Sequence, residues 1–184
     1  SSPVVVTANS AEVARADRIV LPGQGAFGVC FAGLAALDGM IESLSAAVLD
    51  RGVPFLGICV GMQLMATSSL EHKRQDGLNW IGGEVVPMPL SDDNLKIPHM
   101  GWNELHLAAS HPVLDGVETG DHVYFVHSYH FEVDDKKALL AAVNYGGYQT
   151  AIVGRDNMIG TQFHPEKSQQ TGLRIIENFL NWRP

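Results

Sequence analysis

In the stretch Phe55-Leu-Gly57-Ile-Cys59-Val-Gly61-Met-Gln63, an apolar run of strand length ends on one cysteine, and helix-compatible residues follow from Met62 to Ala66. Pro54 to Ile58 has the bulk and length of a short buried strand. Gly57 and Gly61 bracket Cys59 two residues away on either side, the spacing of a nucleophile elbow between a strand and a helix. The turn is sharp, and side chains at the two glycine positions would collide with the strand or the helix. Such an elbow aims its thiol at the N-terminus of the following helix, where partial positive charge favours a thiolate. The plainer reading of a free cysteine is a small buried hydrophobe. The flanking glycines favour chemistry.

Upstream of the elbow, strand and helix patterns alternate. Val4-Val-Val-Thr7 reads as a strand, Asn9-Ser10 as a helix cap and Ala11 to Ala16 as a short helix. Asp17 to Leu21 reads as a second strand ending in Pro22-Gly23-Gln24-Gly25-Ala26-Phe27. Two glycines after a strand let backbone N–H groups turn toward a ligand. Residues 31–37 and 39–51 carry helical spacing, with Met40, Ile41, Leu44, Val48 and Leu49 on one stripe. Gly52 ends that helix. The order predicts a parallel sheet flanked by helices, with ligands beyond the carboxyl ends of its strands. Gly23-Gln24-Gly25 and Cys59 both fall at such ends and can face one crevice.

Downstream, Glu71 to Gly77 is charged and loop-like. Strand candidates follow at 82–87, 102–107, 121–126, 129–133, 138–144, 148–153 and 157–161, separated by turn signals such as Asp134-Asp135 and Gly146-Gly147. They predict hairpins, and hence an antiparallel extension of the sheet. Ser91 to Asn94 reads as a surface turn. Lys96-Ile-Pro-His-Met-Gly-Trp-Asn103 mixes residues a buried strand seldom combines, which suggests an irregular edge or a working surface. In Ile159-Gly-Thr-Gln-Phe-His164-Pro165-Glu166-Lys167 a strand ends just before His164. Glu166 stands two residues on, the same side of an extended chain. A cysteine nucleophile needs a base, and the base needs a group that fixes its tautomer. Cys59, His164 and Glu166 supply all three. Leu173 to Trp182 closes the chain as an amphipathic helix with Ile175, Ile176, Phe179 and Leu180 inward.

Composition narrows the classes. The 184 residues are 46 % hydrophobic and 17 % charged, which fits one folded domain with a sizeable core. A net charge of −8, with no basic cluster, disfavours nucleic acid. No apolar run reaches the length of a membrane span. Two cysteines, Cys30 and Cys59, without CxxC or zinc spacing, suit a reducing cytoplasm and free thiols. His127 and His130, three apart, make only a weak metal pattern, so no metal and no cofactor is expected.

GICVGMQ at 57–63 with HPEKS at 164–168 resembles the class I (triad) glutamine amidotransferases. LPGQGAF at 21–27, KIPHMGWN at 96–103 and YFVHSYHF at 124–131 make it similar to the glutaminase subunits of imidazole glycerol phosphate synthase. The resemblance covers essentially the whole chain and implies a flavodoxin-like α/β fold, a mostly parallel sheet with an antiparallel extension, over 1–184 as a single amidotransferase domain. The family opens with a strand, an Asp-Tyr-Gly-type loop and a helix. This sequence starts after them, so an N-terminally shortened domain is expected. The resemblance further implies glutamine hydrolysis through a thioester on Cys59. Val60, Gln24 and Gly25 would form the oxyanion hole. Gly23, Gln63, His127, Ser128 and Tyr129 would hold glutamine. Ammonia would be channelled to a cyclase subunit in a heterodimer serving histidine biosynthesis, docked around Trp102, Asn103, Tyr124 and Lys167. The alternatives are a subunit of an anthranilate or carbamoyl-phosphate type synthase, or an interaction protein with a vestigial triad.

Overall fold

The computed structural model describes residues 3–89 and 95–184. The turn expected at Ser91–Asn94 lies outside them. The chain opens with α1 (Ser10–Val13), β1 (Ile19–Gly23), α2 (Phe27–Ala35) and α3 (Met40–Ser45), the last continued by a π-helical turn to Asp50. It then enters β2 (Phe55–Cys59) and α4 (Val60–Gln63). Two short strands, β3 (Ser68–Ser69) and β4 (Gln75–Asp76), precede β5 (Gly83–Pro87), β6 (His99–Leu107), β7 (His122–His127) and β8 (Tyr129–Val133). The chain closes with β9 (Leu139–Asn144), β10 (Tyr148–Arg155), β11 (Met158–Thr161) and α5 (Gln169–Asn181).

The main sheet has the order β1-β2-β11-β10-β9-β6-β7. β1, β2 and β11 run parallel, and each later neighbour is antiparallel. The parallel portion is therefore three strands, and the antiparallel extension is the longer part. Some expected hairpin strands leave it: β5 and β8 pair with each other and with β3 and β4 in a second sheet of order β4-β3-β5-β8. Two-residue strands such as β3 carry no readable periodicity, so this sheet was not legible beforehand. From His99 on, KIPHMGWN is strand, the first half of β6, which changes partner along its length. His99–Glu104 of β6 pair with β7, and Leu105–Leu107 pair with β9.

Every residue of β2 is buried, as a strand covered on both faces requires. Met40, Leu44 and Val48 turn inward from their helix at i, i+4 and i+8, while Leu49 is half exposed. On α5, Ile175 and Phe179 are buried, but Leu180 is exposed. The strand expected at Val4–Thr7 is not formed. Val4, Val5 and Val6 are solvent-exposed coil, and among the described residues the sheet ends at β1. β-branched composition stabilises a strand only where there is a neighbour to pair and pack with. Arg18 ties the end of α5 to the start of β1, donating to the Leu180 and Trp182 carbonyls at 2.8 and 2.7 Å. Among the described residues no single helix is long and apolar enough to cross a membrane.

Candidate active site

The register of the three parallel strands builds the site. Gly23 at the end of β1 pairs with Cys59 at the end of β2, and Ile58 pairs with Thr161 at the end of β11. Cys59 is thus flanked by the Gly23-Gln24-Gly25 loop on one side and by the segment leading to His164 on the other. Its backbone has φ 55 and ψ −114, a strained conformation for a residue with a side chain. Close packing of glycines permits it. A Cβ on Gly61 would run into the Leu21 carbonyl, and one on Gly57 would sit 2.6 Å from the Gly61 carbonyl oxygen.

A cavity of about 360 Å³ opens over this point. Cys59, Val60, Gln24, Gly25, Gln63, His127, Ser128, Tyr129, His164 and Lys167 line it. Gly23 does not. It packs against the elbow instead, where a Cβ would lie 2.9 Å from the Gly61 nitrogen and the Val60 Cβ. Glu166 also stands outside the lining, and it acts on the site through His164. The His164 ring is buried, and its Nδ1 lies 2.8 Å from Glu166 Oε1. A carboxylate only accepts, so Nδ1 carries the proton and Nε2 is left as the base nitrogen. His164 is fixed from behind as well. Its N–H donates to the Tyr124 carbonyl at 3.0 Å, and Ser168 Oγ donates to its carbonyl at 2.7 Å.

The expected thiolate is not the resting state. Burial pushes the Cys59 thiol up to about 11, outweighing the Val60 N–H that favours ionisation. The helix after the elbow, α4, is a single turn of four residues, too short for an appreciable dipole. Cys30 is half-buried and raised chiefly by burial, and its Sγ donates to the Gln24 carbonyl at 3.2 Å.

A polar chain lies behind the cavity wall. Tyr129 O accepts from His127 Nδ1 at 2.9 Å, so His127 Nε2 accepts from His99 Nδ1 at 3.0 Å. His99 Nε2 then accepts from Asn103 Nδ2 at 3.2 Å, and the same amide donates to the Asn144 carbonyl at 3.1 Å. Asn103 thus reaches inward, while its neighbour Trp102 is 46 % exposed and meets Tyr124 edge-on at 6.0 Å between centroids.

Three residues near the site were not among its expected members. Glu71 lines the cavity, and its carboxylate accepts from the Phe27 N–H at 2.6 Å, capping α2. His99 stands behind the wall. Gln162 donates to Cys59 Sγ at 3.7 Å. Alternation in an extended chain puts residue 162 on the same side as His164, which was the available signal.

The family model for glutamine amidotransferase class-I matches residues 3–182. The chain is 59 % identical over 181 residues to the imidazole glycerol phosphate synthase subunit HisH of Cereibacter sphaeroides, covering 98 % of this chain and 85 % of that protein. To the subunit of the same name from Rhodospirillum rubrum it is 56 % identical, covering 100 % and 86 %. Among solved structures, a glutamine amidotransferase superposes with a TM-score of 0.68 at 15 % identity, covering 94 % of this chain and 84 % of that one. A glutamine amidotransferase from Thermotoga maritima gives 0.56 at 20 % identity, covering 90 % and 63 %. The chain belongs to the class-I glutamine amidotransferases and, within them, to the HisH subunits of imidazole glycerol phosphate synthase.

Proposed function

We propose that Cys59, His164 and Glu166 hydrolyse glutamine to glutamate and ammonia, and that the ammonia passes to a cyclase subunit of imidazole glycerol phosphate synthase in histidine biosynthesis. The observation that carries this reading is the convergence of Cys59 and His164 on one cavity, with His164 Nδ1 tied to Glu166. His164 Nε2 takes the thiol proton as sulfur bonds to the amide carbon. The Val60 N–H and an N–H from Gln24-Gly25 hold the oxyanion. The imidazolium protonates the amide nitrogen, the C–N bond breaks and ammonia leaves a thioester. Water then attacks that carbon while His164 takes its proton. The C–S bond breaks, glutamate leaves, and the sulfur recovers its proton. Glu166 keeps Nδ1 protonated throughout.

Residues 1–184 act as one amidotransferase domain in a cytoplasmic heterodimer. The cyclase docks at the mouth of the cavity, around Trp102, Asn103, Tyr124 and Lys167, where ammonia can leave without meeting bulk water. The 59 % identity to a HisH subunit favours this acceptor over anthranilate or carbamoyl-phosphate synthases. Glutamate release measured with and without the cyclase tests the reading. Cys59→Ala abolishes glutamine-dependent turnover, while external ammonia still supports cyclisation in the complex. Normal glutaminase turnover by Cys59→Ala would overturn it.

A further inference from the structure

We propose that Gln162 is a positioning residue for the nucleophile: its side-chain amide is oriented to donate a hydrogen bond to the Cys59 sulfur, and this bond strengthens as the thiol ionises. The inference rests on Cys59 being the nucleophile.

The orientation follows from an acceptor that cannot be reversed. Tyr129 O is a carbonyl, so the Gln63 amide group 3.3 Å away presents Nε2 to it. The second hydrogen of that Nε2 points to Gln162 at 3.0 Å, so Gln162 presents Oε1 there. Its own Nε2 is left facing Cys59 Sγ at 3.7 Å. His127 Nδ1 donates to the same Tyr129 carbonyl, which anchors the chain from its other side. The Gln162 main chain is fixed too, its N–H donating to the Ala151 carbonyl at 2.8 Å. Gln162 is fully buried, and each end of its amide has a partner.

A neutral thiol is a weak acceptor, and a thiolate is a strong one. The Gln162 bond therefore contributes little to the resting state and more as charge gathers on sulfur, which is the condition for a group to speed a step. In the thioester the sulfur loses its charge and the bond weakens again. Burial and the Glu166 carboxylate oppose thiolate formation. The Val60 N–H and Gln162 support it.

The test is iodoacetamide alkylation of Cys59, followed by mass spectrometry in a Cys30→Ser background, from about pH 7 to about pH 11. Gln162→Met keeps length and bulk but removes both polar ends. The expected result is alkylation about tenfold slower at neutral pH, the size of one lost hydrogen bond to a charged group. Gln162→Asn, too short to reach, gives the same direction. Profiles that superimpose on the parent's overturn the inference. Should the variants fail to fold, the side-chain amide resonances of Gln162 in the otherwise unaltered chain decide. They shift when Cys59 is alkylated, and unmoved resonances overturn the inference equally. A Cys59 inert at every pH, with turnover intact in Cys59→Ala, overturns the reading of the site. A reactive Cys59 indifferent to residue 162 overturns this inference alone.

Discussion

Acidification is expected to destabilise this protein through the His99–His127 pair. Both rings are buried, and their facing nitrogens lie 3.0 Å apart in a chain in which every ring nitrogen already has its donor or acceptor role. A second proton on either ring would place two N–H groups face to face. Burial is the main cause that lowers His99 to about 4 and His127 to about 3. For His127, the neighbours His99 and His130 act in the same direction, and the Tyr129 carbonyl opposes them. Folded values below the unfolded value mean that the unfolded chain binds more protons in acid. The stability is therefore fully present above about pH 6.5 and is lost as pH falls toward the folded values. At about pH 5 each unfolded imidazole is almost fully protonated and each folded one is not, worth about 2 kcal/mol per ring and about 4 kcal/mol for the pair as an upper limit. That is a large share of the 5–15 kcal/mol typical of a domain, in round figures ~10. His111 and His130, also lowered by burial, add with the same sign, and the only charged group near His130 is Glu132 at 3.8 Å among the described residues.

Urea unfolding at about pH 7.5 and about pH 5 measures the loss directly. His99→Gln removes one of the two titrating rings, so about half of the pair's pH dependence should disappear even if the variant is less stable throughout. Equal stability of the parent at both pH values would refute the reasoning. So would an undiminished pH dependence in His99→Gln. Glutaminase activity should fall over the same window, since a protonated His127 cannot accept from His99.

Three further outcomes follow from the same geometry. Cys30→Ser should leave turnover intact and change stability by about 1 kcal/mol or less, because a hydroxyl can keep the bond to the Gln24 carbonyl. A glutamine-mimicking electrophile should label Cys59 alone, and labelling of Cys30 at a similar rate would count against this assignment. Trp102→Ala or Lys167→Ala should weaken cyclase binding by about tenfold or more while Cys59 stays reactive to that electrophile. Unchanged affinity and unchanged stimulation in both would place the interface elsewhere.

What was legible in the chain was what repeats or punctuates. The elbow announced itself by Gly57 and Gly61 around Cys59, and the structure gives both glycines steric reasons that hold for no other residue. The strands from β5 to β11 stood within about two residues of where alternation and turn residues put them, except β6, which begins at His99 and not at 102. Partner choice was not legible. Nothing in the periodicity of 82–87 and 129–133 says that these strands pair with each other in a separate sheet, because a strand's preference is set by the neighbours it packs against, which its own sequence does not name. Val4–Thr7 failed for the same reason. Within the site, most residues lining the cavity carried a signal, Glu71 excepted, while those one layer behind carried little. A buried His99 looks in sequence like any polar residue in a strand, and alternation gives Gln162 only its side; the role of each exists only once the Tyr129 carbonyl has fixed which way each amide and imidazole points.

A thiol near 11 also constrains how the cycle must run. Burial disfavours the charged form of Cys59, so the thiol is the resting species. Proton transfer to His164 has to accompany attack on a bound amide, and the donors around the sulfur and the oxyanion have to be in place at that moment. In the cycle proposed above one oxyanion donor comes from the Gln24–Gly25 peptide, whose carbonyl accepts from Cys30 Sγ at 3.2 Å. Gly25, at φ 94, meets open space where a Cβ would be, so its backbone angle and not crowding is what demands glycine there. Turning that peptide would break one S–H···O bond and redirect one N–H, a change small enough for a docking partner to drive. An isolated subunit would then hold an assembled triad and still waste little glutamine.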